Sequence, residues 1–174
     1  MLCVTGYVAM LRAVNVAGTG KLPMAELKAM GEACGFDNVR TFINSGSLLL
    51  TSGLAEGTVK ERIEGKLDAY FGKPVPAFVR TAEEMAGIVE SNPFPDDKPS
   101  RVMAHFIDEK PVQAMLDEAR DVEGERLALG PRVIYVSYGD GIGKTKLKLP
   151  AVKKGTARNM NSVARMAELL AGME

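Results

Sequence analysis

Over its first 80 residues the chain switches between the roughly twofold apolar repeat of a strand and the roughly 3.6-residue repeat of a helix in one fixed order. Tyr7-Val8-Ala9-Met10-Leu11 reads as a buried strand, and Asn15-Val16-Ala17-Gly18-Thr19-Gly20 breaks it with turn formers. Pro23 suits the first position of a helix, where its missing N–H removes no hydrogen bond. Met24, Leu27, Met30 and Cys34 then keep one apolar helical face up to a capping Gly35. Residues 39–43 and 47–51 read as two strands joined by hairpin chemistry at Asn44-Ser45-Gly46. Val59, Ile63, Leu67 and Tyr70 mark a second helix. Residues 75–79 form a fourth strand, placed at an edge or a strand start by Pro76, which has no N–H to give a ladder. The order β-α-β-β-α-β is the split βαβ of a ferredoxin-like domain.

A second, less regular pass begins at Thr81. Thr81 and Glu84 have the spacing of a capping box ahead of Met85, Ile88 and Val89, and Asn92-Pro93-Phe94-Pro95 stops that helix. Residues 101–107 read as a strand, and Pro111 opens a helix carrying Val112, Met115, Leu116 and Ala119. Residues 127–129 and 133–138 read as a hairpin around Gly130-Pro131. The repeat is one of element order, with no sequence self-similarity. After it come a glycine-rich loop, a basic stretch over 144–154 broken by Pro150, and a last helix that Asn161 could cap. The expected fold is α+β: two ferredoxin-like (split βαβ, α-β plait) subdomains at 1–80 and 81–149, then a basic C-terminal segment and helix at 150–174.

Charge is even overall, with 22 basic and 22 acidic residues, but it is not evenly placed. Residues 141–174 hold seven basic and two acidic residues, so the first 140 carry the acidic excess. A basic terminal segment on an acidic body is a candidate anion-binding surface. No apolar run approaches the ~18 residues of a membrane span, and the N-terminus lacks a signal peptide's charged start. Two cysteines without metal-like spacing fit a reducing cytoplasm.

Four ordered motifs carry a family likeness. They are Leu11-Arg12-Ala13-Val14-Asn15-Val16-Ala17-Gly18 with Lys21-Leu22-Pro23-Met24-Ala25-Glu26-Leu27; Val39-Arg40-Thr41-Phe42-Ile43-Asn44-Ser45-Gly46; Asp140-Gly141-Ile142-Gly143-Lys144 with Lys146-Leu147; and Gly155-Thr156-Ala157-Arg158-Asn159 with Asn161-Ser162-Val163. Through them the chain resembles the domain of unknown function 1697 family over nearly its whole length. The resemblance implies two ferredoxin-like subdomains and no activity. Ala13 and Ala17 stand where the family pattern has glycine, Ser47 where it usually has Asn, and Met160 where it usually has Trp. The stretch between Lys148 and Gly155 is shortened.

Candidate chemistry follows the charge. The segment from Gly139 to Arg165 holds Lys144, Lys146, Lys148, Lys153, Lys154, Arg158 and Arg165 with no acid after Asp140, and glycines at 139, 141 and 143 free the backbone to form an anion-binding nest. If 144–149 is extended, Lys144 and Lys146 share one face. Gly143-Lys144-Thr145 is not a P-loop: Tyr138 occupies the first glycine position, and Pro150 interrupts the helix that should follow. Arg12, Asn15 and Lys21 flank the first loop, where ligand-facing groups often sit, and Arg40 and Ser45 join them if the hairpin lies alongside. The expected anion-binding set is therefore Arg12, Asn15, Lys21, Arg40, Ser45, Lys144, Lys146, Arg158 and Asn159. His105, the lone histidine, reads as a half-buried strand residue without a partner acid or nucleophile, and no metal set is apparent. The leading expectation is a cytoplasmic protein binding a phosphate-rich anion such as nucleic acid or a phosphorylated small molecule. An enzyme acting on a small anion in a cleft between the subdomains, and a protein-interaction module, are the alternatives. An aromatic RNA-binding pattern is missing from the strands.

Overall fold

A computed structural model of the chain describes residues 3–12, 22–42, 46–139 and 142–173. The chain divides into two units, residues 1–83 with 166–174 and residues 84–165. The expected division at 80/81 falls three residues from the first of these boundaries. Residues 150–165, expected in a separate C-terminal segment, lie in the second unit.

The first unit runs β1 (Thr5–Leu11), α1 (Met24–Ala33), β2 (Asp37–Phe42), β3 (Ser47–Ser52), α2 (Glu56–Phe71) and β4 (Ala77–Thr81). Its antiparallel sheet has the order β2-β3-β1-β4. Alternation decides the faces: Tyr7, Ala9 and Leu11 of β1, Leu48 and Leu50 of β3, and Ala77 and Val79 of β4 point to one side. The helices supply Leu27 and Met30 from α1 and Val59, Ile63 and Leu67 from α2, three of them one helical turn apart. Leu48, Leu50, Val59, Ile63 and Leu67 are fully buried. Each such side chain stabilises the fold by ~1.5–3 kcal/mol on transfer grounds. Gly35 (φ 84°) ends α1 and Gly72 (φ 70°) ends α2 in the left-handed conformation glycine tolerates best. The Arg62 guanidinium also donates to the Cys34 carbonyl at the end of α1 (3.0 Å), where the helix dipole favours a cation.

The second unit repeats the order with one replacement. After α3 (Ala82–Glu90) come β5 (Val102–Phe106), α4 (Gln113–Asp117), β6 (Arg126–Gly130), β7 (Val133–Ser137), β8 (Thr156–Asn159) and α5 (Met160–Ala171), whose residues from Met166 on count with the first unit. Its sheet order, β6-β7-β5-β8, is that of the first sheet. Between β7 and β8, where the first unit has the 16 residues of α2, the described residues form two short 3-10 turns, Ile142–Lys144 and Pro150–Val152, and no longer helix. Of the stretch 144–149 expected to be extended, Lys144 ends the first turn, and the rest is a connector that pairs with Arg120 through an isolated antiparallel bridge at Lys148. The α4 helix has 5 residues against the 10 of α1.

The registers of β1 with β3 and β4 superpose on those of β5 with β7 and β8. Val8 lies between Leu49 and Arg80, and Ala104 lies between Tyr135 and Arg158. Arg80 and Arg158 thus hold the same place in the two sheets. Both are buried, and each donates to the carbonyl of the residue before it, Val79 (2.8 Å) or Ala157 (2.9 Å). Each lies two residues before a helix, α3 or α5.

Candidate functional site

The face of the second sheet that corresponds to the first unit's helix-covered face carries Met103 and His105 of β5, Ile134 and Val136 of β7, and Leu127 of β6. Ile107, Ile134, Val136 and Leu149 are buried there, with Met115, Leu116 and Ala119 from the α4 region and Leu147, Ala151 and Val152 from the irregular segment partly buried against them. A helix would present apolar side chains every three to four residues over its whole length. Two 3-10 turns cannot, and the shortfall is a cavity of about 610 Å3. That is within the range of pockets that enclose small organic ligands.

The pocket has three kinds of wall. His105 and Tyr138 give it polar groups, and the His105 Nε2 and the Tyr138 hydroxyl are 3.1 Å apart. Leu147, Leu149 and Val152 make an apolar side. Arg120, Lys148 and Lys153 line it as cations, all three on exposed residues. Among the described lining residues none is acidic. Two backbone hydrogen bonds clamp the rim: Arg120 N–H donates to the Lys148 carbonyl and Lys148 N–H to the Arg120 carbonyl, both at 2.9 Å. Lys148 also comes within 3.7 Å of Asp121, an exposed pair whose energetic contribution is small.

Desolvation in this wall pushes the His105 imidazole down to about 4, so the ring is neutral at physiological pH. Burial, and secondarily the Glu125 carboxylate, raises the Tyr138 phenol, which stays protonated. The two groups therefore offer hydrogen bonds without charge. Glu125 also holds the irregular segment in place: it accepts from the Thr145 hydroxyl (2.6 Å) and from the Glu123 N–H (2.5 Å). These bonds, the hydroxyl's first, keep its carboxyl below the usual carboxylate range.

The residues expected to bind an anion are distributed as follows. Asn15, Lys21 and Ser45 lie outside the described residues. Arg12 follows β1, and Leu11 N–H donates to the Gly46 carbonyl (2.8 Å), so the β2–β3 hairpin does lie beside the end of β1. Arg40 is exposed on β2, paired with Leu49 and so turned away from the helix-covered face. Lys144 and Lys146 are exposed, and Lys144 borders a smaller cavity that also includes Glu123 and Glu125, carboxylates of the chain itself.

Arg158 and Asn159 have duties inside the fold. Arg158 is 7% exposed, on the sheet face opposite His105. It donates to the Thr156 hydroxyl (2.7 Å), and burial lowers its guanidinium to about 10. The Asn159 Oδ1 accepts from Ser162 N–H (2.9 Å), so Asn159, not Asn161, caps α5. A Cβ on Gly155 would collide with the Phe106 carbonyl, so this position needs glycine for close approach. The motif Gly155-Thr156-Ala157-Arg158-Asn159 is accounted for by architecture. Met160 is buried and offers no surface platform.

The profile of the family described as "Protein of unknown function (DUF1697)" matches residues 4–135. The chain belongs to this family. The match ends before the third and fourth motifs, so the His105 strand lies within it while the irregular segment and β8 lie beyond it. Among solved structures the chain is similar to one described as the conserved bacterial protein SP0830 from Streptococcus pneumoniae. The identity is 23%, with 97% of this chain and 99% of that chain covered at a TM-score of 0.81. That likeness establishes the shared fold. No significant match is found among curated proteins.

Tyr138 and Arg120 escaped the sequence reading. Arg120 enters the site only through its bridge to Lys148, a pairing 28 residues apart that no local pattern signals. Tyr138 directly follows β7 and was visible only as the last residue of a strand. Among the described residues no cluster of three or more His, Cys, Asp or Glu could hold a metal ion, and no helix is long and apolar enough to cross a membrane.

Proposed function

We propose that this protein, acting in the cytoplasm, binds a small organic anion in the pocket of its second unit. The observation that carries this reading is the composition of the cavity's lining: Arg120, Lys148 and Lys153 with no acidic residue among the described lining residues, together with apolar side chains and an uncharged polar pair. Three basic side chains on the lining of one cavity favour a guest of negative charge. A volume of about 610 Å3 is more than an inorganic ion needs, so the ligand has an organic body.

A longer polyanion such as nucleic acid is the second reading, because Lys144, Lys146 and Lys154 are exposed on the same segment outside the pocket. Calorimetric titration separates the two. An aryl phosphate should bind, and the double substitution Lys148→Gln with Lys153→Gln should weaken it at least tenfold, since each charge-assisted contact contributes about 1.5–3 kcal/mol. A nucleic-acid ligand would instead lose affinity on Lys144→Gln with Lys146→Gln and show a steep dependence on salt. Indifference of aryl phosphate binding to Lys148 and Lys153 would remove the proposal.

A further inference from the structure

The walls of the pocket differ in charge, and that difference constrains the ligand beyond its being an anion. The cations Arg120, Lys148 and Lys153 stand on exposed residues. The polar groups on the sheet side are His105, from the central strand β5, and Tyr138, which follows β7. They form a hydrogen-bonded pair 3.1 Å apart with rings tilted by 51°. Leu147, Leu149 and Val152 line the same cavity. An anionic group is best placed beside the cations, an apolar flat body against the leucines, and a neutral hydrogen-bonding group against His105 and Tyr138.

We propose that the pocket selects an aryl or heteroaryl monophosphate or carboxylate whose uncharged ring substituent hydrogen-bonds to the His105–Tyr138 pair. This rests on the anion-binding reading above and adds the ligand's far end and its orientation. A neutral imidazole keeps one acceptor nitrogen and one N–H, and a phenol keeps a lone pair after donating its proton. Whichever tautomer is present, the pair meets a ligand hydroxyl or amide with a donor or an acceptor. A ligand without such a group leaves these half-buried groups unmatched, which is how polar sites discriminate between analogues.

The chain has a single histidine, so its imidazole nitrogen resonances report this pocket alone. The full chain, labelled with 15N, would be titrated with 4-hydroxyphenyl phosphate, phenyl phosphate and inorganic phosphate, with calorimetry run in parallel. Expected are clear shifts of the His105 ring nitrogens with 4-hydroxyphenyl phosphate and none with inorganic phosphate. The hydroxylated compound should bind about fivefold tighter than phenyl phosphate, the value of one net hydrogen bond. In the double variant His105→Phe with Tyr138→Phe that advantage should vanish while aryl phosphate binding persists. Should this variant fail to fold, the wild-type imidazole signals decide. Aryl phosphates that bind and depend on Lys148 and Lys153 but leave His105 unmoved would overturn this inference and keep the anion site. Aryl phosphates that do not bind, or bind regardless of those lysines, would overturn the anion site itself.

Discussion

The two sheets share a strand order and a register but not a cover. The first sheet's inner face is sealed by α1 and α2, and Val59, Ile63 and Leu67 are fully buried against it. The same face of the second sheet meets a five-residue α4 and two 3-10 turns, and a cavity of about 610 Å3 remains. One topology has thus been used twice, once as closed architecture and once as an open slot. The difference lies in the segment between the third and fourth strands: Glu56–Phe71 forms a 16-residue helix, while residues 142–152 contain Pro150 and alternate lysine with apolar residues. Where the helix is missing, a sheet residue that would otherwise be core becomes a wall. In the superposed register His105 holds the place of Ala9, which is fully buried.

Several substitutions would break or sharpen that contrast. The largest effect is expected at Ile63→Ala in the sealed core, where truncation leaves a void and costs about 3–4 kcal/mol in urea unfolding. A loss below ~1 kcal/mol would mean the first core is as loose as the second.

Next is the pH response of His105. Its folded pKa is about 4 against an ordinary 6.5. Between these values the unfolded chain holds more protons, so stability rises with pH. The contribution is complete above about pH 6.5 and is lost as pH falls toward 4. The difference corresponds to roughly 3 kcal/mol. His105→Phe should flatten that stretch of the stability–pH curve, and an unchanged slope would show that the ring is solvated in the slot.

Leu149→Ala removes an apolar wall at an already open site, so it should cost less than Ile63→Ala, about 2 kcal/mol, and should also weaken aryl phosphate binding. A larger loss than at Ile63 would contradict the assignment of closed and open faces. The smallest effect is expected at Asn159→Ala, which removes the cap of α5 and should cost about 1 kcal/mol with no change in binding. Lost binding there would return Asn159 to the ligand site.

The first unit was legible because its helices and strands are marked by uninterrupted periodicity, with Gly35 and Gly72 at the helix ends. The order of the second was legible as far as the β6–β7 hairpin at Gly130-Pro131, but its fourth strand β8, inside a segment expected to hold only a tail and a helix, and its cover were not. A basic, proline-broken stretch reads alike as a strand, a tail or a loop, and only the contacts of Thr145 with Glu125 and of Lys148 with Arg120 decide its course. Arg158 illustrates the commonest error of charge-based reading: a buried guanidinium bonded to Thr156 and a backbone carbonyl is indistinguishable in sequence from a ligand-facing one. His105 was rightly read as a half-buried strand residue, yet its strand position said nothing of the void in front of it. That void is set by what a distant segment fails to cover.

The account turns on the slot being real space that a ligand fills. Leu147→Trp places an indole in it from the irregular segment, in which Leu147 lines the pocket and is only partly buried. Calorimetric titration of 4-hydroxyphenyl phosphate into this variant and into wild type is the most direct test. Measurable binding to wild type and none to a folded Leu147→Trp is the predicted result; equal affinity for both, or none for either, would contradict it.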